Sequence, residues 1–263
     1  MSGISYEPLI RDMTWSYSRV KAFEDCPYRW YLKYIRFPGE QGKPMFFSSY
    51  GSFMHELLES FNKGEKTAAQ LQMQYLKSFP LRVGAPAPNI KVFKNYFADG
   101  AEYLSTMQLP QHRALLVEAK IDFSIHDIPF VGYVDLLEQT EDSSLLLVDN
   151  KSRVLKPRSR RAKPTKADME LDEYLKQLYL YSVSIKQSFG KFPDKLCFNC
   201  FRKGVFIEEP FVEAAYDRAI DWVLEKIEAI AVEADFRPDI EWFKCRYLCE
   251  MQDHCEYFQL SKG

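Results

Sequence analysis

Asp149 and Lys151 lie two positions apart at the end of an apolar run, Leu-Leu-Leu-Val-Asp-Asn-Lys, over residues 145–151. On a strand, alternate side chains share a face. The carboxylate and the ammonium would therefore stand side by side next to Leu145 and Leu147, with Leu146, Val148 and Asn150 on the other face. Charges are seldom left against an apolar core without a partner, because stripping their water costs on the order of several kcal/mol. A second carboxylate, Asp135, ends a similar run, Phe-Val-Gly-Tyr-Val-Asp, shortly upstream. Two acids and a lysine at neighbouring strand ends suit a divalent cation and phosphodiester hydrolysis. Such a cation neutralises the phosphoryl group and makes water nucleophilic near neutral pH. An amine beside it orients or deprotonates that water and stabilises developing negative charge. An Asp-x-Lys at a strand end is also a common surface ion pair; the Gly132-x-x-Asp135 spacing and the hairpin context favour the site.

Positioning these groups is the task of the surrounding elements. Residues 115–125, 130–138 and 145–151 read as strands joined by short polar connections, which predicts an antiparallel meander. A breaker-rich stretch at 156–166 precedes a helical pattern over 168–189, then a strand near 195–202 with a short partner at 205–208. That strand–helix–strand passage fits a crossover to a parallel neighbour. Upstream, two short helices fall within 14–36, with Pro27 suited to a first helical position. A helix near 50–61 carries Phe53, Met54, Leu57, Leu58 and Phe61 at helical spacing. Further helices are expected over about 67–78, 90–107 and 212–234. The predicted fold class is α/β: a mixed central β-sheet flanked by helices. A single domain over 1–263 would comprise a helical N-terminal annex (14–110), a core (111–210) and a C-terminal helix with a cysteine-rich tail (211–263).

Composition narrows the function classes. A chain of 263 residues can bury one sizeable core, and a formal net charge of −2 gives no global basic field, so nucleic-acid contact must come from local patches. No run of 18 apolar residues occurs, and the first residues lack a basic stretch followed by an apolar one. The expectation is a cytoplasmic protein with no membrane association. Six cysteines in such a chain argue for thiols or metal ligands over disulfides.

Taken together, the motifs resemble the PD-(D/E)XK nuclease superfamily. The residues are Asp135 in Gly-Tyr-Val-Asp, Asp149-Asn-Lys151, and Gln177-Leu-Tyr-Leu-Tyr181 in the following helix. Ser16-x-Ser18 leading to Cys26-Pro27, Gly51-x-x-x-His55-Glu56 and three C-terminal cysteines narrow the resemblance to the RecB-like branch, with the iron–sulfur nucleases of recombination and CRISPR adaptation. The resemblance implies a restriction-endonuclease-like fold and a Mg2+ or Mn2+ site formed by His55, Asp135, Asp149 and the Asn150 carbonyl. It makes Lys151 the catalytic amine, with Gln177 and Tyr181 ordering it or holding the scissile strand. Asn150 departs from the apolar residue usual between the acid and the lysine, and its side chain should point away from the metal. Glu118 is either an outer acid of the site or a solvated strand residue sharing parity with Lys120 and Asp122.

Cys26, Cys245, Cys249 and Cys255 would make four thiolates joining the two ends of the chain, suited to a [4Fe–4S] cluster or tetrahedral zinc. The resemblance favours the cluster. The C-terminal spacing has three residues between Cys245 and Cys249 where the family has two, and His254 is an alternative ligand. Cys197 and Cys200 have opposite strand parity and read as buried thiols.

The stretch 153–166 holds seven basic residues and no acid: Arg153, Lys156, Arg158, Arg160, Arg161, Lys163 and Lys166. Its place after Lys151 predicts contact with DNA. Phe46, Phe47 and Tyr50 either stack on unpaired bases or pack in the core. The function expected is a metal-dependent DNA exonuclease of recombination, repair, phage replication or CRISPR adaptation, acting on single-stranded or frayed ends. A helicase, integrase or replication factor is the expected kind of protein partner. The alternative is a catalytically silent DNA-binding subunit.

Overall fold

The computed structural model describes residues 5–108 and 111–262. Residues 1–4, which carried part of the leader reading, lie outside the described residues, as do 109–110 and 263. Five strands form one mixed sheet in the order β1 (Arg113–Ile125), β2 (Ile128–Gln139), β3 (Leu145–Asn150), β4 (Lys195–Cys200) and β5 (Val205–Pro210). β1, β2 and β3 form the expected antiparallel meander, β3 and β4 run parallel, and β4 and β5 are antiparallel. The β1–β2 turn is two residues long with positive φ at both His126 and Asp127, the backbone twist that tight hairpins favour. The helix Lys166–Phe189, which follows β3 in sequence, makes the crossover to β4.

In chain order the α-helices are α1 (Glu7–Arg11), α2 (Tyr17–Asp25), α3 (Pro27–Tyr31), α4 (Phe46–Asn62), α5 (Ala68–Arg82), α6 (Ile90–Thr106), α7 (Lys166–Phe189), α8 (Glu213–Ala231) and α9 (Trp242–Tyr247). One face of the sheet meets α7 and α8. Leu145 and Leu147 of β3, with Leu196 and Phe198 of β4, pack in one core with Leu175, Leu178, Val223 and Ile227. The helices α4, α5 and α6 bury their apolar stripes in a second core, which Phe201 joins from the end of β4. Cys200 lies in the first core and Cys197 in a small cluster with Leu136, Leu146 and Val148, so the two thiols occupy opposite faces as their parity requires. No helix among the described residues is long and apolar enough to cross a membrane.

The helix carrying His55 starts at Phe46, earlier than its sequence pattern indicated, and this settles the aromatic trio. Phe46 and Tyr50 are 1% and 0% exposed and pack against Tyr96. Phe47 lies half-buried between Tyr96 and Phe243. Phe46 and Tyr50 are core residues and offer no ring face to a base, because the added helical turn rotates them inward.

Candidate active site and metal centre

The site forms where β2 changes phase. Phe130 and Val134 point into the main core, as alternation requires, but Leu137 also joins that core while Leu136 turns to the other face. The change falls at Asp135. Across from it, between the pairs Val117–Leu136 and Ala119–Val134, Glu118 adopts a φ of 44°. Positive φ at a non-glycine residue is uncommon and marks a local kink. Strict parity would have aimed Glu118 at solvent beside Lys120 and Asp122. The structure instead places its Oε1 3.0 Å from His55 Nδ1, so it belongs to the site.

His55 of α4 is held at both nitrogens: Nδ1 by Glu118, with Asp135 Oδ1 3.7 Å away, and Nε2 by the Asn150 carbonyl at 3.1 Å. Asp135 Oδ2 accepts the Asn150 N–H at 2.6 Å. His55, Glu118 and Asp135 thus offer ligand atoms within 4.8 Å of one another. Asp149 is 4% exposed. Its Oδ2 lies 2.8 Å from the Lys151 ammonium yet receives no well-aligned hydrogen bond. Lys151 Nζ donates to Gln177 Oε1 at 2.9 Å, and Gln177 Nε2 donates to the Tyr181 hydroxyl at 3.2 Å. Gln177 and Tyr181 sit one turn apart on α7, as their spacing predicted. Tyr174, one turn earlier, places its ring 5.3 Å from the ammonium. That residue escaped the sequence reading, although helical periodicity from Gln177 would have found it. The Asn150 side chain points away from the carboxylates and accepts from Asn199 Nδ2 at 2.8 Å.

Burial, then the charge of Asp149, pushes Asp135 up to about 7, with Glu118 adding to the rise and His55 opposing it. Burial alone would lower His55. The hydrogen bond to Glu118 and the charges of Asp135, Glu118 and Asp149 outweigh it and raise the imidazole to about 9. Acids crowded around one imidazole, with a buried carboxylate oxygen short of donors, fit a bound divalent cation.

The cysteine group lies elsewhere. Cys26 caps α3, its sulfur 3.4 Å from the Arg29 and Asp239 amides. Cys245 lies on α9, and Cys249 and Cys255 follow in the tail. All four line one cavity of about 620 Å³ that also reaches Arg153, Tyr174 and Gln177. Burial pushes Cys249 up to about 12; burial and the neighbouring Cys26 and Cys245 raise Cys255. Sharing a cavity does not bring the thiols to one point: among the described residues, the one group of three His, Cys, Asp or Glu ligand atoms within 4.8 Å of one another is His55, Glu118 and Asp135. His254 instead pairs with Glu40 at 3.1 Å and packs on Phe37.

The basic stretch is pinned to the body. Leu155 is buried, and Asp168 accepts hydrogen bonds from Ser159 and Thr165. Arg153 pairs with Glu170, and Arg158 bridges Asp172 and Glu209. Lys156, Arg160, Arg161 and Lys163 are exposed.

No match was found among curated proteins. Two solved structures are similar in outline. One is a candidate exonuclease from Eubacterium rectale (12% identity, TM-score 0.48, covering 94% of this chain and 90% of that one). The other is the protein SSO0001 (15% identity, TM-score 0.31, covering 77% of this chain and 84% of that one). The sequence matches the PD-(D/E)XK nuclease superfamily over residues 14–256, which spans the sheet, the His55 helix and most of the cysteine tail. The chain belongs to the PD-(D/E)XK nuclease superfamily.

Proposed function

We propose that the protein is a Mg2+- or Mn2+-dependent DNA nuclease of RecB-like type, acting as an exonuclease on single-stranded or frayed ends. The observation that supports this reading is the group His55, Glu118 and Asp135, with ligand atoms within 4.8 Å of one another, beside the buried Asp149 and its partner Lys151, which flank Asn150 and its contacts. The ligands would be His55 Nε2, a carboxylate oxygen from each of Asp135 and Asp149, and the Asn150 carbonyl. His55 Nε2 and the Asn150 oxygen, 3.1 Å apart, would offer a nitrogen and a hard oxygen to such a cation. Glu118, accepting from Nδ1, would fix the ring and its tautomer.

When bound, the cation supplies charge neutralisation at the phosphoryl group and a more acidic water. The chain does the rest. Lys151, steered by Gln177 and by the ring of Tyr174, holds the attacking water and offsets charge on the phosphoryl oxygens. Tyr181 holds Gln177 from behind. The exposed cations Lys156, Arg160, Arg161 and Lys163 would meet the phosphate backbone. Arg153 and Arg158, tied to acids, would shape that loop more than bind DNA.

Cys26, Cys245, Cys249 and Cys255 would hold a [4Fe–4S] cluster, zinc being the rival occupant, that clasps the tail to the N-terminal helices. The protein would work in the cytoplasm beside a helicase, integrase or replication factor. The test is cleavage of end-labelled DNA with Mg2+ or Mn2+, comparing wild type with Lys151→Ala. Metal-dependent cutting that the substitution removes supports the nuclease. Equal inactivity of both would leave a DNA-binding subunit.

A further inference from the structure

Residue 150 is the joint of the proposed centre: Asp149 precedes it, Lys151 follows it, and its carbonyl faces His55 Nε2. Three ties set the direction of that carbonyl. The Asn150 N–H donates to Asp135 Oδ2 at 2.6 Å. The Lys151 N–H donates to the Asn199 carbonyl at 2.8 Å. The Asn150 side-chain Oδ1 accepts from Asn199 Nδ2 at 2.8 Å. Two of the three therefore come from Asn199, the register partner of Asn150 across the parallel β3–β4 pair. Asn199 Nδ2 donates in turn to the Tyr103 hydroxyl of α6 at 2.8 Å. A chain of hydrogen bonds thus runs from the helical annex, through the sheet, to the carbonyl beside His55.

The choice of residue at 150 is informative. Its side chain shares a strand face with Leu146 and Val148, which pack in an apolar cluster. Asn150 is 5% exposed, and its Nδ2 has no hydrogen-bond partner among the described residues. Leaving a buried amide hydrogen unpaired is destabilising, a cost that an apolar side chain would avoid. Packing alone gives no reason for an amide here; an amide that Asn199 can grip does.

We infer that Asn199, backed by Tyr103, is a positioning residue that aims the Asn150 carbonyl at the cation and sets the backbone from which Lys151 projects. This rests on the metal-centre reading above. Neither side chain touches the reacting atoms; both act through residues 150 and 151. Groups standing behind a metal ligand typically change affinity or activity by about 10–100-fold when removed, because a ligand aimed a few tenths of an ångström off binds and polarises less well.

The test is a Mn2+ titration of the full chain without DNA, with free ion counted by electron paramagnetic resonance, followed by steady-state cleavage kinetics. Asn199→Ala is expected to weaken Mn2+ binding about tenfold and to lower kcat at saturating Mn2+ by about 10–100-fold, with KM for DNA kept. Tyr103→Phe removes one hydroxyl, leaves the fold intact, and is expected to move both in the same direction by about threefold. Should Asn199→Ala not fold, Tyr103→Phe decides alone. Wild-type Mn2+ affinity and kcat in the folded variants, with only a lower melting midpoint, would overturn the positioning role and leave the metal centre standing. Absence from the wild type of any Mn2+ site that Asp135→Ala removes would overturn both.

Discussion

The carboxylate–lysine centre and the cysteine clasp both join residues far apart in the chain, yet they are organised in opposite ways. At the centre, every participating side chain but Lys151, which directly follows β3, arises from a long helix or a strand of the sheet, and protein groups tie it to its neighbours: Glu118 to His55, the Asn150 amide to Asp135, Gln177 to Lys151. At the clasp, the thiols sit on a helix cap, a six-residue helix and irregular tail, and the pairings of protein with protein are peripheral. Arg29 and Lys33 grip Glu250 at 2.8 and 2.7 Å, Tyr28 donates to Glu256, and the Lys43 amide donates to the Glu250 carbonyl. A regular scaffold can hold a site ready for its cation, whereas a short irregular one would depend on whatever its thiols held. The first region should therefore fail in chemistry and the second in stability.

The largest effect expected is at the centre. Lys151→Ala should lower metal-dependent cleavage by about a hundredfold or more, with the melting midpoint hardly moved, as measured by single-turnover assays beside thermal unfolding. A parallel loss of midpoint would blur the contrast. At the clasp, Cys249→Ser should instead raise the rate of limited proteolysis within 236–262 by about tenfold, while the cleavage rate of the intact fraction stays within a few fold.

Two glycines allow the same atom to be added in each region. A Cβ at Gly132 would fall 2.5 Å from the Tyr181 ring, and one at Gly42 would fall 2.5 Å from the Glu250 carbonyl. Gly132→Ala should displace Tyr181, loosen Gln177 and cost about tenfold in kcat. Gly42→Ala should push the tail outward and cost about 1–3 kcal/mol of stability with kcat retained. Exchanged outcomes in the two variants would break the comparison.

The smallest effect is a pH dependence in metal-free protein. His55 rises from an ordinary 6.5 to about 9, so the stability its charged form contributes is present below pH 6.5 and lost as pH climbs through 9. Asp135 rises from 3.8 to about 7, so its ionisation in the fold becomes a growing penalty up to that pH. Both groups make the native state bind more protons than the unfolded chain, so stability falls as pH rises. In chelator, the melting midpoint should drop between pH 6 and 9, and Mn2+ should offset the drop. A midpoint that rises over that window would contradict the arrangement of acids around His55.

Much of this was legible from residue types. The strands that carry Asp135 and Asp149, the crossover, and the one-turn spacing of Gln177 and Tyr181 follow from periodicity, which records local backbone geometry directly. Asp135 was expected at a strand end, but β2 runs on to Gln139 and the acid lies within it. Glu118 stood between an outer acid of the site and a solvated strand residue, because the positive φ that overrides strand parity there leaves no trace in composition. Phe46 and Tyr50 stood between two readings for a related reason. Helix α4 begins with Met45 as its N-cap, which makes no side-chain cap, so its start carried no signal. The Asn199 and Tyr103 contacts depend on register across a parallel pair and on a helix from another part of the chain, which no single sequence displays.

The most direct measurement is an anomalous difference map from a crystal soaked in Mn2+. The account predicts a peak bounded by His55 Nε2, Asp135, Asp149 and the Asn150 carbonyl, with Glu118 still on His55 Nδ1. A peak elsewhere, or no peak there in protein that cleaves DNA with Mn2+, would contradict it.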